Sequence, residues 1–201
     1  MLTRQSCTKF LGLATLCVAA PASAHSADSL AGGFLAGFAH PVSGLDHLLA
    51  MVAVGLWGAF LGRPLIIVLP VIFPTVMAFG GMLGMIGVPM PPVEFGIALS
   101  VLLLGGAVAS GWRAPVWLAC IAVAVFAIFH GYAHGSELPS MADPVAFSLG
   151  FVVATGMLHV AGIIIGLMTN RPGGMVLVRI LGGVIVLAGC YYISVAIGLV
   201  G

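Results

Sequence analysis

The stretch FHGYAHGSE, residues 129–137, carries two imidazoles and a carboxylate at steps of four and three. On an α-helix those steps align His130, His134 and Glu137 along one face. A second stretch, AHPVSGLDH at 39–47, holds His40, Asp46 and His47. Imidazoles and carboxylates together suit Ni²⁺, Co²⁺, Zn²⁺ or Cu²⁺, and the thiolates that would favour Cu(I) are absent from both stretches. The competing reading is a helix end whose imidazoles are simply solvated. Choosing between the two depends on where a membrane lies.

Composition answers the first part of that question. The chain has 201 residues, 62% of them hydrophobic and 5% charged. A soluble domain carries about 25% charged residues, so this chain cannot cover a water-facing surface. The expectation is an all-α, polytopic integral membrane protein of one compact domain. A net charge of +1 offers nothing to nucleic acid.

The beginning of the chain has the form of a targeting signal. Arg4 and Lys9 supply a basic region, FLGLATLCVAA an apolar core, and PASA an Ala-x-Ala ending at Ala24. Residues 1–24 are therefore expected to be removed, leaving 25–201 as a six-helix domain with His25 at its terminus. The remaining cysteines, Cys120 and Cys190, sit in apolar runs at different depths and read as packing residues.

A spanning helix needs about 20 apolar residues. Between the Pro, Gly and charge interruptions, six spans fall near 44–62, 64–87, 93–111, 115–135, 144–168 and 174–199. Short loops force neighbouring spans to run antiparallel. Arg63, Arg113, Arg171 and Arg179 then share one side, as the positive-inside rule requires of a cytoplasmic face. Asp28, Asp46, Glu94, Glu137 and Asp143 gather at or near the other. This places the mature terminus on the outer side of the membrane, with the first, third and fifth loops cytoplasmic. Small residues four apart, Gly80/Gly84, Gly131/Gly135 and Gly162/Gly166, predict close helix packing.

Both histidine stretches fall at the outer ends of spans, the first and the fourth. Ionisable groups in such helices cost about 2.5–3.5 kcal/mol each at the helix centre, and normally face the interior along ion pathways. Asp46 and His47 point about 100° apart on a helix. One can bind an ion while the other orients a ligand imidazole. Pro41, with Ser43 and Gly44 after it, separates a short segment at 28–39 from the first span. Further candidates along a metal path are Glu94 in the first turn of the third span, His159 deep in the fifth, and His25. Each has a plainer reading: a helix-dipole acid, an interhelical hydrogen bond and a free terminus.

The patterns His-x5-Asp-His at 40–47 and Phe-His-Gly-x-Ala-His-Gly-x-Glu at 129–137 resemble the HupE/UreJ family of hydrogenase- and urease-associated nickel permeases. The resemblance runs through the signal, the six spans and both motifs. It implies uptake of Ni²⁺, sometimes Co²⁺, as a transported substrate with no permanently bound cofactor. It also implies that His40, Asp46, His47, His130, His134 and Glu137 matter for transport. The partners so implied are a divalent metal ion and the lipid bilayer, with a second copy of the chain or a cytoplasmic nickel chaperone as further candidates. An intramembrane zinc hydrolase using the same His/Asp cluster is the alternative. A bis-histidine haem carrier and a non-transporting scaffold account for fewer of these residues.

Overall fold

The computed structural model describes residues 24–138 and 143–200, with side chains from residue 31 onward. Most of the expected signal segment, and the side chain of His25, therefore lie outside the described residues. Among those described, every regular element is helical: α1 (Ala24–Ser43), α2 (Leu45–Leu61), α3 (Leu65–Met85), α4 (Val93–Ser110), α5 (Val116–Glu137), α6 (Pro144–Gly166) and α7 (Gly174–Ala196). A 3₁₀ turn at Leu167–Asn170 extends α6.

Five helices, α3 to α7, are each long and apolar enough to cross a membrane. Helix α2, with 17 residues, meets that test only together with Ala31–Ser43, from which it is bent by 79°. The expected break before the first span is present, and falls at Gly44 rather than at Pro41. Helix α1 runs through Pro41 to Ser43. The chain turns at Gly44, which is extended at φ −86° and ψ 102° and whose carbonyl accepts from Leu48 at 2.9 Å.

Glycine sets the helix pairing. A Cβ on Gly131 or Gly135 of α5 would strike the backbone carbonyls of Met77 and Gly81 in α3. A Cβ on Gly80 or Gly84 of α3 would strike those of Ile128 and Tyr132 in return. The two expected Gly-x-x-x-Gly pairs thus face each other. Gly37 of α1 and Gly150 of α6 meet in the same way, as do Gly55 of α2 and Gly162 of α6. Bare backbone at these points replaces the hydrophobic drive that is missing between helices in lipid.

The core that results is centred on α2, whose Ala50, Met51, Ala53 and Val54 have no exposed surface. Apolar side chains such as Ile67, Leu149, Ile164 and Leu187 point outward, as a bilayer-facing surface requires. Cys120 packs partly buried against the core, whereas Cys190 is exposed on α7.

The arginines gather away from the histidine stretches. Arg63 and Arg113 line one cavity with Thr169 and Asn170, and Arg113 lies over the Phe60 ring. Arg179 donates from Nε to the Ala109 carbonyl at 2.7 Å, tying α7 to the end of α4.

Replacing Gly131 by Ala should destabilise the folded protein by about 1–3 kcal/mol through overpacking. Gly106→Ala, where an added Cβ meets nothing within 4 Å, should not destabilise it. Thermal unfolding in detergent checks both.

Candidate metal centre

The elbow at Gly44 brings the last turn of α1 and the first turn of α2 to one point. His40 and His47 converge there, and α5 presents His130 and His134 from one face. The His47 ring centroid lies 4.5 Å from that of His130 and 4.4 Å from that of His134. The His40 ring lies 4.9 Å from His134. Three helices thus contribute four histidines in ring contact. Phe151 of α6 closes one side, with its centroid 4.3 Å from His134.

Exposure is graded across the cluster. The His40 side chain is 34% exposed, His47 and His134 are 8% exposed as residues, and His130 is 0%. Glu137 stands at the open side, with Oε2 3.8 Å from Nε2 of His40. One ligand atom each from His40, His134 and Glu137 falls within 4.8 Å of the others. Modest side-chain rotation would draw these around a single ion, whose ligand bonds are about 2 Å long.

The hydrogen bonds decide which imidazole nitrogens are available. Oδ1 of Asp46 accepts from the His47 backbone N–H at 2.8 Å and lies 3.2 Å from its ring Nδ1. A carboxylate accepts only, so Nδ1 carries the proton and Nε2 keeps its lone pair. This is the carboxylate–imidazole arrangement that orients metal-binding histidines. The bond leaves Nε2 as the His47 nitrogen free to accept a cation, with Asp46 fixing the ring's orientation.

His130 is pinned from the other nitrogen. The Ser100 hydroxyl donates to the Ile97 carbonyl at 2.6 Å, which uses its one hydrogen. With that hydrogen on the Ile97 carbonyl, Ser100 accepts from His130 Nε2 at 2.9 Å, an arrangement that puts the proton on Nε2 and the lone pair on Nδ1. His47 Nε2, His130 Nδ1 and both nitrogens of His134 are buried without a hydrogen-bond partner among the described residues. Buried polar atoms nearly always have partners, and unprotonated imidazole nitrogens are donors that suit a borderline cation.

All six residues of the two motifs come together here. Glu94 is exposed in the first turn of α4, and among the described residues no hydrogen bond or ion pair joins it to the histidines. His159 is buried in α6 and separated from the cluster by Phe73, whose ring centroid lies 5.5 Å from His130 and 5.4 Å from His159. Ser100, Phe73 and Phe151 are additions that motif spacing did not reveal. Ser100 had one signal: a hydroxyl in the middle of a helix whose other polar side chains, Glu94 and Ser110, stand at its two ends.

Nitrogen NMR of histidine-labelled protein should find His130 in the Nε2–H tautomer and His47 in the Nδ1–H tautomer. Ser100→Ala should release the His130 preference and leave His47 as it was.

The comparisons agree with one another. The family model described as HupE / UreJ protein matches residues 13–192. A curated relative, "Protein HupE" of Rhizobium leguminosarum bv. viciae, is 46% identical over 173 residues, covering 86% of this chain and 91% of the relative. No solved structure matches the chain. With a match over most of its length to both the family and a named member, the chain belongs to the HupE/UreJ family.

Proposed function

We propose that the chain is a membrane permease, and not an enzyme, that takes up a divalent transition-metal ion, Ni²⁺ first and Co²⁺ second, for hydrogenase or urease assembly. The observation that carries this reading is the meeting of His40, His47, His130 and His134. His47 Nε2, His130 Nδ1 and both nitrogens of His134 are buried without a hydrogen-bond partner among the described residues, and two carboxylates stand beside the cluster. The bland alternative, solvated imidazoles at a helix end, does not account for a fully buried His130.

In this reading α2 to α7 are the six spans of a bacterial inner-membrane protein, and α1 lies across the first turns of α6 at the periplasmic end. A hydrated cation meets Glu137 and His40 first. Imidazole nitrogens of His134, His47 and His130 then replace water, while Glu137 and Asp46 offset the ion's charge. The site must bind strongly enough to select and weakly enough to release. An inward-negative potential contributes about 2.3 kcal/mol per charge per 100 mV toward entry, so a dication is drawn in without a nucleotide-driven step.

Radioactive nickel uptake into cells expressing the unmodified chain, His130→Ala or Asp46→Ala, with cobalt and zinc as competitors, tests the proposal. The unmodified chain should accumulate nickel, with cobalt competing better than zinc. His130→Ala should abolish uptake at unchanged protein level, and Asp46→Ala should lower it by about 10–100-fold, the usual effect of losing a ligand-orienting partner. No accumulation by the unmodified chain, with metal retained stoichiometrically after purification, would replace the permease by the zinc hydrolase.

A further inference from the structure

Deeper than the outer cluster, α6 carries two polar atoms that the site above does not use. His159 is 1% exposed and Thr155 0%. Nδ1 of His159 lies 2.9 Å from the backbone carbonyl oxygen of Met51 in α2. A carbonyl accepts only, so Nδ1 carries the proton and Nε2 holds a lone pair. That Nε2 is buried with no hydrogen-bond partner among the described residues.

Thr155 stands one helical turn before His159 on the same face. Its hydroxyl is also buried and unpartnered. Every other serine and threonine whose side chain is described, from Ser43 to Ser194, donates to a backbone carbonyl three or four residues earlier. Thr155 is the exception, although the same local bond is open to any threonine in a helix. Two polar side chains one helical turn apart, each with an unpartnered buried atom, are costly in an apolar interior, and in membrane helices such residues mark pathways.

We propose that His159 Nε2 and Thr155 Oγ1 form a second, inner stop for the transported divalent cation, reached from the outer cluster past the Phe73 ring. This inference rests on the permease reading. An imidazole nitrogen and a hydroxyl oxygen supply two ligands, and water completes the shell. So few protein ligands make a weak site, which suits onward release better than capture. The ring contacts of Phe73 with both His130 and His159 keep the two stops apart, so the ion exchanges its ligands in two stages.

The test uses the full chain and Ni²⁺. His159→Asn sets an amide N–H where Nδ1 stood, keeping a donor for the Met51 carbonyl while deleting Nε2. Thr155→Val keeps the side-chain shape and removes the hydroxyl, and Thr155→Ser restores it. Nickel uptake by cells should fall about tenfold or more in His159→Asn and Thr155→Val, and recover in Thr155→Ser. Equilibrium dialysis of the purified proteins should show outer-cluster affinity unchanged in all three. Uptake at the unmodified rate in His159→Asn and Thr155→Val overturns the inner stop and leaves the outer cluster intact. So does a Thr155→Ser variant that fails to recover while folded and binding nickel normally. An unmodified chain that neither binds nor accumulates nickel overturns both readings.

Discussion

Everything in this bundle depends on helices approaching until their backbones touch. At Gly131 and Gly135 there is no room for even a methyl group between α5 and α3. Each histidine of α5 immediately precedes one of these glycines, so the contact that locks the helix also fixes the direction of the imidazoles beside it. Packing and ligand geometry are therefore one constraint. The same holds in α6, where the Gly162 contact with α2 lies one turn beyond His159, whose Nδ1 is bonded to α2 at Met51.

The electrostatic layout follows from the same arrangement. Asp46 and Glu137 stand beside the histidines, while Arg63 and Arg113 share a cavity with the turn that follows α6. A dication entering at the carboxylate end is attracted there and meets no fixed cation within the cluster. Orientation of the imidazoles comes from groups that can only accept, or whose proton is already committed: a carboxylate, a main-chain carbonyl and the Ser100 hydroxyl.

Much of this was legible in the sequence, because prolines, glycines and charges interrupt the apolar runs. Helices α3 to α6 begin and end within about two residues of the expected spans, within the ordinary uncertainty of helix ends. The first helix was less legible. Pro41, Ser43 and Gly44 marked the break, but which of the three turns the chain was not legible: the helix passes Pro41 and an extended Gly44 makes the turn. The shared face of His130, His134 and Glu137 was legible from spacing, because that motif lies on one helix. Ser100, Phe73 and Phe151 were not, since their contacts cross between helices. Which helices adjoin, α3 with α5, α4 with α7, and α6 with both α1 and α2, is not encoded in hydropathy.

The cleft beside His134 has a further consequence. It encloses about 260 Å³ between α3, α5 and α6, and Met77, Met85, Leu138, Phe147 and Phe151 dominate its walls. It has space enough for several water molecules, yet its walls offer almost nothing for a hydration shell to bond. A cation leaving sideways would surrender its solvation for hydrocarbon, at an idealised Born cost of tens of kcal/mol. The apolar walls of the cleft therefore insulate His134 against a sideways path for a cation.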